Sequence, residues 1–254
     1  MIITRPKQEA LLKEATNIST LILKKLGEDI RVGITPEELD IKAGILCKEY
    51  SVKPAFKRVK GYNFNTCISV NDVAVHGIPK NIPLKKGDLI SIDFGIIHRG
   101  IYTDHCWTWS LGKPNMDAKK LIKAGKEAVE NCIPLAITGN YTGDLGYEME
   151  RVAKSSGYNI LKMFIGHGIG RTLHDSPDIP AFGKQGSGEV LRDGMVICIE
   201  CQVVDDDGRV IIDDDGWSAK TANGGNSVMY EYMVIVRDKK PEVLTKMRNW
   251  KTVV

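Results

Sequence analysis

Missing features sort this sequence first. Its surplus of one charge is small: 35 Lys+Arg against 32 Asp+Glu leave a formal +3, too slight for a protein that coats nucleic acid by charge. Long apolar runs are absent near the start, where the best stretch, Leu21-Ile22-Leu23, is followed by lysines. Neither a secretory h-region nor a membrane span is expected, and the reading is a cytoplasmic protein. Linkers are lacking too: no Pro/Gly/Ser-rich stretch divides the 254 residues, so one domain over residues 1–254 is expected. Cysteine is thinly spread, at Cys47, Cys67, Cys106, Cys132, Cys198 and Cys201, which predicts reduced thiols rather than a disulfide scaffold. What is present is an ordinary globular mixture, 43% hydrophobic and 26% charged. That excludes a disordered chain or a collagen-like fibre and provides for a core without staples.

Apolar residues at Leu11, Ala15, Ile18, Ile22 and Leu26 fall at the three-to-four spacing of an amphipathic helix, with Gly27 placed to end it. Thr35-Pro-Glu-Glu38 is a capping box with proline at the first helical position, and it predicts a second helix to about Tyr50. Further helices are expected over Met116–Cys132 and from about Gly143 to Ser155. Strand signals cover Cys67–Val70, Asp88–Ile97, Ile101–Ser110, Asn159–Ile165, Met195–Val204, Val210–Asp213 and Val228–Val236. Two helices followed by strands, said twice, indicate an α+β domain built from two related halves, without a visible residue-level repeat.

Carboxylates interrupt the apolar strands at four places. Asp93 and Asp104 flank a tight turn: a turn at His98-Arg99 sets them directly opposite, and a turn at Arg99-Gly100 sets Asp93 opposite Cys106 with Asp104 its diagonal neighbour. Either way they share a face, where like charges destabilise. Asp88, beside Gly87, reads as a turn residue. Glu200 and Glu231 repeat the anomaly further on. A solvated face on an edge hairpin would explain the first pair alone. If all four converge, desolvation and repulsion forbid joint ionisation unless cations compensate, and bridging carboxylates suit a two-metal site about 3.5–4 Å across.

Histidine supplies the nitrogen for such a site. His167 and His174 lie in Gly166-His-Gly-Ile-Gly170-Arg-Thr-Leu-His174, where three glycines in five residues predict a loop, and His76 lies on a similar exit, Val75-His-Gly-Ile-Pro79. His98 and His105 read as turn and opposite-face strand residues. The C-x-x-C of Cys198 and Cys201 is a poor thiol pair, because residues three apart on a strand point to opposite faces.

Together these segments resemble the type I methionine aminopeptidases, metal-dependent enzymes of the pita-bread fold. The likeness runs from about Ile3 to Val236. It is carried by Cys67-Ile-Ser-Val-Asn71-Asp-Val-Ala-Val-His76-Gly-Ile-Pro79, by Asp93 and Asp104 eleven apart, by the Gly166–His174 segment, by Gly194-Met195 leading to Ile199-Glu200, and by Tyr230-Glu231. It implies two pseudo-symmetric halves of antiparallel strands flanked by helices, and hydrolytic removal of initiator methionine from nascent polypeptide N-termini whose second residue is small. Two divalent ions, Mn, Fe, Co or Zn, would be held by Asp93, Asp104, His167, Glu200 and Glu231, with Asp104 and Glu231 bridging. Glu200 would be the proton shuttle, His174 would contact the carbonyl oxygen or the tetrahedral intermediate, and His76 would hydrogen-bond the scissile amide. The methionine slot would be Tyr62, Cys67, Leu173 and Trp217, and a monovalent cation would sit near Asn71, Val73 and Ser227. The implied partners exclude specific DNA and membrane and leave a monomer. Two bound ions would add four charges to the +3, favouring an anionic neighbour such as the ribosome.

Cys201 stands where the family usually has proline and is expected to leave a thiol near the site. Leu173 replaces the common aromatic, and Phe56 and Val59 occupy other pocket positions. Two alternatives share the motif: an Xaa-Pro-type peptidase of the same fold, whose members carry a sizeable extra N-terminal domain, and a non-catalytic peptide- or ribosome-binding relative, which is expected to lack ligands. All five ligands are present here. The 31 residues from Glu200 to Glu231 leave no room for the helical insertion of type II enzymes.

Overall fold

Four apolar-striped segments coil as helices, α1 (Pro6–Asp29), α2 (Pro36–Glu49), α3 (Met116–Cys132) and α4 (Thr142–Ser155), in a computed structural model that describes residues 1–254. The capping box forms at the start of α2. Thr35 Oγ1 accepts from the Glu38 amide at 3.1 Å and Glu38 Oε2 accepts from the Thr35 amide at 2.8 Å, a cap that contributes about 1 kcal/mol. α1 departs from expectation. It continues through Gly27 to Asp29, because Gly27 belongs to the buried stripe, where a Cβ would overlap the Trp109 indole. Glycine there serves close approach rather than termination.

Two three-stranded sheets lie elsewhere in the chain, and the other nine strands form the main sheet. Its path runs Asp175–Ile179, Gly166–Gly168, Val196–Val204, Ser227–Ile235, His105–Ser110, Leu89–Phe94 and Cys67–Val70, with Asn159–Ile160 and Glu242–Val243 as short side strands. Every pairing is antiparallel. Strands of the two chain halves join where Glu231 pairs with Cys106. Ile199, Cys201, Tyr230 and Tyr232 on one face pack with Leu121, Val129, Leu145 and Met149 of α3 and α4 in the main core. Period-two alternation turns the intervening residues Cys198, Glu200, Gln202 and Glu231 to the other face.

Two expected strands are broken. Asp88–Ile97 divides into Leu89–Phe94 and Ile96–His98, and Ile101–Ser110 divides into Ile101–Tyr102 and His105–Ser110. At Gly95 the Thr103 carbonyl fills the space of a Cβ, and beyond it the hairpin leaves the main sheet for a small sheet with Lys53–Pro54. Its turn is Arg99-Gly100, with φ 48° and 80°, the type I′ turn that matches strand twist. Of the two sequence-compatible registers, this turn selects the one with Asp93 opposite Cys106. The strand expected to run from Asn159 stops at Ile160, and the expected glycine loop opens as a strand, Gly166–Gly168. Its glycines admit the Cys198 and Ser176 carbonyls where side chains would stand. Val73–Val75, Asp175–Ile179 and Ala219–Thr221 are additional strands, too short or too polar for alternation to reveal. No helix is long and apolar enough to cross a membrane.

Gly27→Leu should cost about 1–3 kcal/mol of unfolding free energy by overpacking against Trp109. Chemical denaturation measures it, and an unchanged midpoint would mean that the helix can move off the indole.

Candidate metal centre

Strand register gathers the acids. Reading across the sheet, Cys67 pairs with Asp93, Asp93 with Cys106, Cys106 with Glu231, and Glu231 with Glu200. Directly paired residues share a face, so three of the four carboxylates stand in one row. Asp104, two residues before Cys106, lies on that face in the next row, where Met233 pairs with Cys198 and Cys198 with His167. The Asp104 amide donates to Met233 Sδ at 3.3 Å, which fixes this end of its strand.

The donor atoms then converge. One oxygen each from Asp93, Asp104 and Glu231 lie within 4.8 Å of one another; so do donors of Asp104, His167 and His174, and those of His167, Cys198 and Glu231. Asp93 Oδ1, Asp104 Oδ1 and Glu231 Oε1 are buried without a hydrogen-bond partner. His167 is oriented by its neighbour: Nδ1 donates to the Gly168 carbonyl at 3.0 Å, which aims the Nε2 lone pair toward Asp104 Oδ2, 3.8 Å away. His174 packs edge-on against His167, ring centroids 4.5 Å apart. His76 holds φ 56°, a conformation uncommon outside glycine, and rests edge-on against Phe164 at 5.2 Å. Gln202 donates from Nε2 to Glu200 Oε2 at 2.7 Å.

Burial governs protonation here. It raises Asp104 to about 7 and Glu200 to about 8. It pushes Asp93 and Glu231 well up, and the neighbouring Asp104 and Glu200 charges reinforce the effect. Desolvation lowers His76 and His167 to about 4, with His174 repelling their protonated forms, and lowers His174 itself. All three imidazoles are therefore neutral at pH 7, the form that ligates metal. Three buried carboxylates and the half-buried Asp93, three of the four with orphaned buried oxygens, and one pre-aimed imidazole fit divalent ions, which would restore the ionised state of the acids and satisfy their lone pairs.

Asp93, Asp104, His167, Glu200 and Glu231 line a cavity of about 140 Å³ together with His76, His174, Tyr62, Cys67, Leu173, Trp217, Phe56 and Val59. The Tyr62 hydroxyl donates to the Thr66 carbonyl at 2.7 Å and its ring meets Trp217 edge-on at 5.0 Å, giving one wall a fixed shape. Cys201 is a correction: it lies in the core on the helix-facing side of the sheet. The thiols on the acid-bearing face are Cys67, Cys106 and Cys198. Gln202 escapes motif reading, and Cys198 enters it only as half of a poor thiol pair, although alternation from Glu200 places both on its face. Apart from this cavity, the Asn71 carbonyl accepts from the Ser227 amide at 2.8 Å, two residues before Val73, and Ser227 Oγ is buried without a partner. Asp88 is the expected turn residue, accepting from the Lys85 amide at 2.7 Å.

The metal-free protein should lose stability as pH rises. Asp104 and Glu200 bind protons more tightly when folded, so their contribution is complete below the unfolded carboxylate value of about 4. It is lost as pH climbs through about 7 and about 8. The lowered histidines act oppositely, but only below about pH 6.5, where the unfolded chain would protonate them. Thermal melts of chelated protein should show Tm falling between about pH 6.5 and about 8, with saturating divalent metal removing the slope. A flat or rising profile without metal would contradict the burial of these acids.

A scan against family descriptions matches metallopeptidase family M24 over residues 10–238. Methionine aminopeptidase of Clostridium perfringens is 36% identical over 249 residues, 98% of this chain and 100% of that protein. The crystal structure of methionine aminopeptidase from Thermotoga maritima aligns with a TM-score of 0.93 at 35% identity, covering 97% of this chain and 100% of that one. The architecture is thus the pita-bread fold expected from the sequence. Prolidase from Pyrococcus furiosus shares it, with a TM-score of 0.79 at 24% identity and 65% of its length covered, a likeness of fold alone. A carboxylate cradle that needs cations to stay ionised is what a metallopeptidase buries, and the match over most of the length agrees: the chain belongs to metallopeptidase family M24.

Proposed function

We propose that this protein is a methionine aminopeptidase that hydrolyses the first peptide bond of polypeptides and releases N-terminal methionine. One observation carries the reading: the ligand cluster and the apolar slot of Tyr62, Cys67, Leu173 and Trp217 share a single cavity. A thiol, an aliphatic side chain and two aromatic rings suit a flexible thioether. The Xaa-Pro alternative has only likeness of fold behind it, and the non-catalytic alternative leaves a complete ligand set unused.

In this reading Asp93, Asp104, His167, Glu200 and Glu231 would hold two divalent ions, of Mn, Fe, Co or Zn. Asp104, Glu231 and His167 each belong to two of the three donor clusters, and of these only the two carboxylates have a second oxygen with which they could bridge. Bound there, such ions would supply Lewis-acid polarisation of the scissile carbonyl and a lowered pKa for the attacking water. Glu200 handles the proton. Its Oε2 is held by Gln202, which leaves Oε1 to accept a proton from the water and return it to the departing amine. His174 places a neutral imidazole N–H against the carbonyl oxygen as it gains charge, and His76 hydrogen-bonds the scissile amide. The slot orients the methionine side chain and excludes water from it. Ser227 Oγ and the Asn71–Val73 turn would hold the monovalent cation. Because ligands come from strands of both chain halves, residues 1–254 act as one catalytic domain. The substrates are nascent chains in the cytoplasm, met by a monomer near the anionic ribosome.

Chelated protein given Mn or Co should release methionine alone from a Met-Ala-Ser peptide; no release with any divalent metal would overturn the assignment. Glu200→Gln should lower kcat by about 10²–10⁴-fold. Asp104→Ala and Glu231→Ala should lose turnover together with metal, read by elemental analysis, and full turnover with both metals retained would contradict bridging.

A further inference from the structure

Cys198 is used by nothing described so far. It sits two residues before Glu200 on the Val196–Val204 strand, on the acid-bearing face, and is fully buried. Its direct cross-strand partners are His167 on one side and Met233 on the other. Its Sγ, a ring nitrogen of His167 and a carboxylate oxygen of Glu231 lie within 4.8 Å of one another, and Glu231 Oε1 is among the buried oxygens without a partner. Three atoms so close leave one point within about 2.8 Å of all of them, so sub-ångström side-chain shifts reach the lengths of metal–sulfur and metal–nitrogen bonds, about 2.3 and 2.0 Å.

We infer that Cys198 is a sulfur ligand of the metal centre, completing a nitrogen, sulfur and oxygen set with His167 and Glu231. The inference rests on the metal-centre reading above and sharpens it. On ligation the Sγ–H bond breaks heterolytically, the proton passes to bulk water and the sulfur lone pair goes to the cation. Cys67 and Cys106 stand in the other row, paired with Asp93, and Cys106 Sγ already donates to the Met229 carbonyl at 3.7 Å. A soft donor among carboxylates tilts the centre toward Zn, Co or Fe and away from Mn.

The test uses the whole chelated protein, titrated with Co(II). Wild type should show a near-ultraviolet sulfur-to-cobalt charge-transfer band that Cys67→Ser and Cys106→Ser keep and Cys198→Ser loses. Cys198→Ser should still bind Co, seen by its d–d bands, with affinity for Zn and Co lowered at least about tenfold and affinity for Mn lowered less. X-ray absorption of Zn-loaded wild type, which needs no variant to fold, should show a sulfur neighbour near about 2.3 Å. Tight Co binding with no sulfur band, or Zn surrounded only by nitrogen and oxygen, would overturn the ligand role, leave the metal centre standing and reduce Cys198 to a hydrogen-bond donor toward Glu231. Failure to bind any divalent metal would overturn both.

Discussion

Four carboxylates share one face of a buried sheet. Asp93, Glu231 and Glu200 stand in a single cross-strand row and Asp104 in the next, where burial drives each toward holding a proton it would release in water. A domain only about 5–15 kcal/mol stable cannot carry four such groups ionised and uncompensated. Divalent cations are the compensation we propose, and the same cations are what a peptide bond needs for polarisation. The interaction that keeps these acids charged and the one that performs hydrolysis are then the same.

The scaffold serves this convergence. The Arg99-Gly100 turn sets the hairpin register that faces Asp93 to Cys106, and a one-residue slip would send one acid to the opposite face. Gly166 and Gly168 thin the strand bearing His167, so that its imidazole reaches the acids. Behind the sheet, α3 and α4 seal the opposite face with aliphatic and aromatic side chains, and this rigid backing keeps the donors from spreading. Gln202 adds a fixed hydrogen bond that commits one Glu200 oxygen and frees the other.

Much of this is legible in the residues themselves. α3 declares both its ends, and the capping box at Thr35 declares the start of α2, because local chemistry decides them. The four acids and the three glycine-flanked histidines stand out because acids inside apolar strands, and histidines beside glycines, are costly without a purpose; the choice of His167 among the histidines as a proposed ligand rests on the family resemblance. What stays hidden is whatever depends on partners distant in sequence. Gly27 looks like a stop until Trp109 is seen against it, and Gly166–Gly168 looks like a loop until neighbouring carbonyls account for its glycines. Cys201 looks close to the site because it follows Glu200, yet alternation sends it into the core. The direct opposition of Glu200 and Glu231 requires a pairing between strands that no local pattern encodes.

The central claim is that these acids are buried together in order to hold two cations. Anomalous diffraction from crystals soaked in Co, recorded at the metal edge, tests it most directly. Two peaks about 3.5–4 Å apart, with Asp104 and Glu231 touching both, are the predicted result. A single peak, or metal held elsewhere while the four carboxylates remain protonated, would contradict it.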